Sequence, residues 1–511
     1  EQKTPLDLPA DATNIRVSFA KSAAQQFLRI IDDLDDYPYG CVEQTASRLL
    51  PLSLLLQSLP QDSGGERAAV SQQIRQRVQS QRLRLTYMAG PNAVFGWWGN
   101  AAKGDLLLTA YAYYADYIAS GVLGLQLPAE HWENLLHTFK SAGSESAMHR
   151  ALALWMASEM GLPTQTLARG LFDSLGRQAW SLQSVADNGD TSPAFVEPEG
   201  ALARAMTLAL SAQISAKSGV ALPKTLSGEL PAAKALLQKS SLPSALALAL
   251  TIPGGQDSQA DAERILESVR ADMPTFDRAL TLALLYKSLG DKPPRAANLT
   301  LQGTWRRTPS ITGGELWRFN GGETLNTLTL AKAPETPVTA FVQYDSAHTE
   351  GGKLGVTITR KLSRMSTRQA SENKEGDKNA LFFAPEELSE PGVVQANDLY
   401  LEEITLTPSD GVAVRYGIVE VPLPPGSEVE NTTWGIRLAG GGALEKATHQ
   451  PMRGGYAVPV ERLAGTLTVR HLVRFSQRGK FNLPPIRFYS MYAPRDIAQE
   501  DIGGAKSIMV K

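Results

Sequence analysis

Apolar positions recur with two different periods along the chain, and the change of period divides it. Ile15-Arg16-Val17-Ser18-Phe19 alternates apolar with polar and predicts one strand. From about Ser22 to Ser288 the spacing becomes helical, in Ala- and Leu-rich runs broken by Gly and Pro, as at Gly161-Leu162-Pro163 and Pro253-Gly254-Gly255. Helices are predicted over residues 23–34, 42–59, 66–88, 106–120, 130–140, 146–160, 164–175, 200–217, 244–250, 260–272 and 277–289. Many are apolar round most of their circumference. A helix of that kind buries two faces, as in the inner ring of an α/α toroid. A superhelical array has a similar texture, but no fixed internal period is present.

After Pro293-Pro294 the period becomes that of strands. Short runs at 300–305, 316–320, 325–330 and 338–344 are separated by Gly and Pro. Further runs follow at 354–360, 399–406, 412–421, 434–438, 467–475 and 486–490. Their spacing predicts antiparallel sandwiches. The charged stretch from Ser363 to Lys378 reads as a mobile loop. The fold class is therefore multidomain, α followed by β.

At 511 residues the chain is long enough for several domains and a large core. Its 50 basic and 52 acidic residues balance, which gives no reason to expect a nucleic-acid partner. No apolar run reaches the length of a membrane span. No signal peptide opens the chain, whose polar start, Glu1-Gln2-Lys3-Thr4-Pro5, looks like a cut within a longer protein. A single cysteine is compatible with cytosol or periplasm.

That cysteine is the centre of the candidate chemistry. It lies in Tyr37-Pro38-Tyr39-Gly40-Cys41-Val42-Glu43-Gln44, at the start of a predicted helix. A helix start favours a thiolate. Gln44, three residues on, shares a face of the first turn with Cys41. The Cys41 sulfur can then attack the Gln44 side-chain carbonyl and expel ammonia, leaving an internal thioester, a stored acyl group open to an amine or hydroxyl. The plainer reading is a small buried cysteine at a helix start.

Tyr39-Gly40-Cys41-Val42-Glu43-Gln44-Thr45 before an apolar helix resembles the thioester site of the α2-macroglobulin and complement family, in its bacterial α2-macroglobulin form. Phe95-Gly96-Trp97-Trp98, with Asp105 and Leu108-Thr109-Ala110-Tyr111, resembles the second conserved stretch of that thioester domain. Tyr416 to Glu428, through Val419-Glu420-Val421-Pro422-Leu423-Pro424-Pro425-Gly426, resembles a motif of the last domain. The resemblance extends over essentially the whole chain, most strongly from Tyr37 to Tyr114. It implies an α/α-toroid thioester domain at 21–297, inserted in a CUB-like β domain made of 1–20 and 298–350. A macroglobulin-like sandwich at 351–511 would follow. It implies an internal Cys41–Gln44 thioester, no separate cofactor, and a single-turnover protease trap rather than an enzyme. The captured partner would be a protease, through its lysine amines. The implied location is the periplasm, with an inner-membrane anchor on the full-length protein, and a penicillin-binding protein is an implied partner.

A thioester survives only if kept dry. Tyr37 and Met491 are the expected shield, with Tyr39 and Tyr492 in reserve. Met491 and Tyr492 lie in Arg487-Phe488-Tyr489-Ser490-Met491-Tyr492-Ala493-Pro494. Each of these residues reads equally well as core or interface packing. Glu43 can handle the proton that moves during attack, or can simply be a helix-start charge. The pair Trp97-Trp98 reads as core packing before sugar stacking. Some family members route the acyl group through a histidine, and His149 is the best placed of the six by chain order, although its neighbours do not match the family segment. No histidine pair has zinc-like spacing with a carboxylate, so no metal is expected. Asp32-Asp33 and Asp35-Asp36 read as a solvated helix end. Arg67, Arg75, Arg77, Arg82 and Arg84 read as a solvated basic face. Two other functions stay open: a carbohydrate-active enzyme on an α/α toroid using acidic residues, and a Cys/His hydrolase built on Cys41.

Overall fold

The computed structural model describes residues 1–35, 40–59, 65–99, 101, 103–141, 145–178, 182, 192–195, 198–253, 259–286, 299–308, 310–322, 324–346, 353–369, 381–430, 450–452, 454–501 and 506–511. The chain forms two units, Glu1–His348 and Thr349–Lys511.

The first unit begins with strands β1 (Gln2–Pro5) and β2 (Thr13–Ala20). Helices α1 (Ala23–Asp35), α2 (Val42–Ser58), α3 (Glu66–Tyr87), α4 (Leu106–Leu123) and α5 (Ala129–Lys140) follow. Then come α6 (Ala147–Glu159), α7 (Gln165–Arg177), α8 (Ala201–Ser218), α9 (Lys224–Ser227) and α10 (Leu230–Leu237). The last three are α11 (Pro243–Thr251), α12 (Gln259–Ser268) and α13 (Thr275–Leu285). The unit closes with β3 (Trp305–Arg307), β4 (Glu315–Phe319), β5 (Thr327–Leu330) and β6 (Thr339–Asp345).

The helices pack in a cycle. α2 touches α4, α4 touches α6, α6 touches α8, α8 touches α11, α11 touches α13, and α13 returns to α2. The members of this cycle are the helices whose residues are apolar almost all round. In α2 every residue from Val42 to Leu56 is buried. α1, α5, α7, α10 and α12 lie against them and bury mainly one face, as their narrower apolar stripes dictate. Local stops follow cap chemistry. The Asp105 carboxylate accepts from Leu108 N at the start of α4, and Gly124 at φ 75° ends it.

The strand that precedes the helices belongs to a sheet completed after them. β2 lies between β4 and β6 in the order β3-β4-β2-β6, with Val17 opposite Trp317 and Val342. β1 pairs with β5. Val17, Phe19, Leu299, Leu301, Leu328 and Leu330 form the small core here.

The second unit starts with β7 (Val356–Gln369), β8 (Leu381–Glu387), β9 (Val393–Val394), β10 (Leu399–Pro408) and β11 (Val414–Pro422). It continues with β12 (Ser427–Val429), β13 (Gln450–Met452), β14 (Gly455–Leu463), β15 (Leu467–Phe475) and β16 (Gly479–Leu483). It ends with β17 (Arg487–Ser490), β18 (Ala493–Gln499) and β19 (Lys506–Val510). Two five-stranded sheets, β12-β15-β10-β7-β8 and β13-β14-β11-β17-β18, share one core that includes Ile404, Val419, Val421, Tyr456, Val473 and Phe488.

Three local expectations change. Residues 363–369 are strand, not loop, because β7 runs on to Gln369 and its polar end is paired with β8; residues 370–380 lie outside the described part, as does the expected strand at 434–438. Helices α9 and α10 and the long strand β14 were not anticipated; Pro459 inside β14 is a strand-breaking signal that the register opposite Ile418 overrides. The residues Asp32 and Asp33 are not a solvated helix end. Asp32 Oδ2 accepts from Thr312 Oγ1 at 2.6 Å, and Asp33 Oδ1 accepts from Gln343 Nε2 at 2.7 Å, so they tie α1 to the β4 and β6 region.

Candidate functional site

Cys41 is the N-cap of α2, fully buried, with φ −67° and ψ 174°. The extended backbone leaves its side chain free to turn back over the first turn. Its Sγ accepts from Gln44 N at 3.5 Å, and the Gln44 Oε1 accepts from Cys41 N at 3.2 Å. This is a reciprocal capping box with sulfur in the place of the usual hydroxyl. It directs the Gln44 carboxamide back onto the residue that carries the thiol, so the two groups the sequence pairs are held together by backbone hydrogen bonds. Thr45 Oγ1 donates to Cys41 O at 2.8 Å and extends the cap. Gly40, just before it, leaves the space that the Arg84 guanidinium occupies, and Arg84 Nη2 donates to Gly40 O at 3.4 Å.

The thiol itself departs from expectation. Burial pushes the Cys41 thiol far above its ordinary range, and the Glu43 charge pushes it further. The N–H groups of Gln44 and Glu43 and the charge of Arg48 pull the other way and do not prevail. The helix start therefore does not produce a thiolate here; desolvation outweighs it. A hydrolase needs that thiolate, so this arrangement disfavours the Cys/His reading.

The second motif reaches the first. Trp97 O accepts from Val42 N at 3.0 Å, which satisfies a free N–H of the first turn. The buried Trp97 ring meets Phe195 edge-on at 5.2 Å; Trp98 is only half-buried. Phe195 meets Phe276 at 5.0 Å, and Phe276 meets Tyr111 at 5.1 Å. Tyr111 Oη lies 2.9 Å from Ser47 Oγ, and Ser47 donates to Glu43. Val42, Trp97, Phe195, Phe276, Tyr111, Ser47 and Glu43 thus form a closed circuit of contacts around the first turn of α2. Sequence reasoning reached Trp97, Tyr111 and Glu43. It missed Ser47, Phe195 and Phe276, for which only the apolar spacing of their segments gave a signal.

Glu43 points into this circuit. It is fully buried, and Thr275 Oγ1 donates to its two oxygens at 3.0 and 2.9 Å. Asp277, one residue past Phe276, accepts from Ser244 Oγ at 2.8 Å. Burial raises the Asp277 carboxyl to about 7, against the hydroxyls of Ser244 and Ser192 and with a further push from Glu43.

His149 has both ring nitrogens engaged. Nε2 donates to Ala194 O at 2.6 Å, and Nδ1 lies 3.2 Å from Glu145 Oε2. Burial works against its charge, but the bonds to Glu145 and Ala194 and the charge of Asp105 outweigh it and raise its pKa. An imidazole committed on both sides has no nitrogen to offer an acyl group.

The arginines of α3 bridge helices instead of forming a solvated face. Arg77 pairs with Asp35 at 3.3 Å, Arg82 with Asp116 at 2.6 Å, and Arg75 reaches Val122 O at 3.5 Å. The side chain of Arg67 lies outside the described part. Asp32, Asp33 and Asp35 are bonded to other elements, so the described part of this acidic cluster does not support the glycosidase reading; Asp36 lies outside the described residues. Tyr37 and Tyr39 lie outside the described residues. Met491 and Tyr492 are buried in the second unit, where Met491 N donates to Tyr416 O at 3.0 Å and the Tyr492 ring meets Tyr416 edge-on at 5.7 Å.

Comparison with known proteins extends this picture. Residues 355–495 match the model of the bacterial alpha-2-macroglobulin MG10 domain. An alpha-2-macroglobulin of Ralstonia nicotianae is 38% identical over 546 aligned residues, covering 100% of this chain and 34% of its own length. Native alpha-2-macroglobulin from Escherichia coli, in a crystal structure from domain MG7 to the C-terminus, matches with a TM-score of 0.61 at 16% identity, over 100% of this chain and 80% of that one. Salmonella alpha-2-macroglobulin reacted with methylamine matches with a TM-score of 0.60 at 18% identity, over 100% of this chain and 33% of that one. These two likenesses concern the fold. The chain spans about a third of the length of the curated relative, and it belongs to the bacterial alpha-2-macroglobulin family.

Proposed function

We propose that this chain carries the thioester of a protease-trapping macroglobulin, formed between Cys41 and Gln44. The observation that supports it most is the buried reciprocal cap, in which Gln44 Oε1 accepts from Cys41 N and Cys41 Sγ accepts from Gln44 N, so that each side chain is turned back onto the other residue. In the condensation Cys41 Sγ bonds to the Gln44 side-chain carbonyl carbon, the C–N bond breaks, and ammonia departs with the thiol proton. In capture a lysine Nζ of the protease attacks that carbon, the C–S bond breaks, and Sγ takes a proton. The product is an amide, so each molecule acts once. The engagement of both His149 nitrogens favours direct attack by amines.

On this reading the helical cycle is the α/α toroid of a thioester domain at 21–297. The sheet made of strands before and after it belongs to a CUB-like domain at 1–20 and 298–350. Residues 351–511 are the macroglobulin-like sandwich. Tyr37, Met491, Tyr39 and Tyr492 remain the shield proposed for the bond. A periplasmic site, an inner-membrane anchor on the whole protein and a penicillin-binding partner follow from family resemblance. Glu43, with its oxygens bonded to Ser47 and Thr275, suits positioning better than proton transfer.

Intact mass tests the proposal. Freshly prepared chain is expected to be lighter than its encoded mass by one ammonia. Methylamine is expected to add at Gln44 and release one thiol, and Cys41→Ala is expected to lose both signals. A chain of full encoded mass whose thiol reacts at once would overturn the reading.

A further inference from the structure

Behind the Cys41–Gln44 turn lie two buried carboxyls, Glu43 and Asp277, exposed by 0% and 1%. Glu43 is held as an anion would be, by hydroxyls from Ser47 and Thr275. Asp277 is held differently. Its Oδ1 accepts from Ser244, while its Oδ2 is buried and has no hydrogen-bond partner among the described residues. Ser192 Oγ is also buried close to the same carboxyl, and its hydroxyl favours the ionised form. A proton on the carboxyl removes the charge that would otherwise lie buried on an oxygen with no donor. Two carboxyls sharing one dry pocket do not both ionise cheaply. Asp277, with one donor on Oδ1 and none on Oδ2, is the carboxyl on which the proton is placed.

We propose that Asp277 is a positioning residue for the Cys41–Gln44 turn, acting as a neutral acid that lets the start of α13 stay locked on Glu43, and that its ionisation loosens the lock and exposes the thioester to water. The inference rests on the thioester reading and deepens it by naming a regulating group. Loss of the Oδ2 proton places a second negative charge against Glu43. The repulsion acts between α13 and the first turn of α2, through Thr275. The groups facing Asp277 are Glu43 from α2, Tyr111 from α4, Ser244 from α11 and Ser192. From α1, Arg29 and Asp33 act on the adjacent Arg278, and Arg29 continues to the Leu266 and Val269 carbonyls beside α12.

The test compares the intact 511-residue chain with Asp277→Asn, which keeps the shape and donors of the neutral acid. The rate of thiol release without added amine is measured from about pH 5 to about pH 9. Hydroxide accelerates both proteins alike, so their ratio isolates Asp277 from that term and from Asp32, which titrates in the same range. The wild-type rate is expected to match the variant at the acid end and exceed it several-fold above neutrality. Ser192→Ala, which removes a hydroxyl that favours the ionised form of Asp277, is expected to move the inflection to higher pH; a packing role alone would not shift it. A constant ratio across the range, or an unmoved inflection in Ser192→Ala, overturns the proposal. Should the mass show no ammonia deficit, the thioester reading fails by itself, and the Asp277 inference is decided by thermal unfolding. The wild-type melting temperature is then expected to fall, relative to Asp277→Asn, as pH rises from about 4 to about 7, and parallel curves overturn it.

Discussion

Each unit of the chain buries a glutamate completely, and the two treat its charge in opposite ways. In the sandwich Glu402 meets a full countercharge: Arg360 donates to it from Nε at 2.5 Å and from Nη2, and Tyr456 Oη donates at 2.7 Å. Burial works against the Arg360 charge, but the Glu402 carboxylate beside it outweighs that and raises its pKa. In the helical unit Glu43 is met by hydroxyls and has a second carboxyl, Asp277, acting on it. An ion pair locks a register and does not titrate near neutrality. On the proposal above, loss of the Asp277 proton would set a second negative charge against Glu43. The difference teaches that burial alone does not mark a reactive site; what counts is which groups surround the buried carboxyl.

The largest expected effect lies in the cancelled pair. Glu402→Ala leaves Arg360 buried and unpaired and is expected to cost about 3–5 kcal/mol, read as a lower urea midpoint of the sandwich. A loss below about 1 kcal/mol would break the comparison, because Glu402 would then be no more than one polar contact. Next comes the pH dependence of Asp32, whose carboxyl burial raises to about 7 against the bonds from Thr312. Its folded pKa lies above its unfolded value, so its contribution is present below about pH 4 and is lost as pH rises to about 7. Asp32→Asn is expected to flatten this slope in thermal melts, and an unchanged slope would show that another group sets it. Tyr111→Phe removes the hydroxyl bonded to Ser47 and is expected to cost about 1 kcal/mol while leaving the ring contact with Phe276. The smallest effect is expected at the partly exposed pair of Arg470 and Glu403, 2.9 Å apart. There Arg470→Ala should change stability by less than about 1 kcal/mol, and added salt should erase the change.

Much of the helical unit was legible because its two kinds of helix differ in composition. α2 and α4 are apolar on nearly all sides, and a helix of that kind has to be surrounded. The pairing of Cys41 with Gln44 was legible for the same local reason, since three residues of helix bring their side chains together. Less was legible where a local signal was overruled. The polar end of β7 looked like a loop until β8 paired with it, and Pro459 concealed β14. The acidic run after residue 31 looked solvated although Arg29, four residues before Asp33, bonds it at 3.2 Å, because its other partners are distant in sequence. Its partners, Thr312 and Gln343, come 280 and 310 residues later.

By itself the sequence determined where helices give way to strands, and that one cysteine and one glutamine share a helical face, because both depend on spacings of a few residues. Only the tertiary structure decided the protonation of that site. Glu43 meets Thr275 across 232 residues of chain, and the desolvation that pushes up the Cys41 thiol and the Asp277 carboxyl comes from elements that local spacing does not bring together.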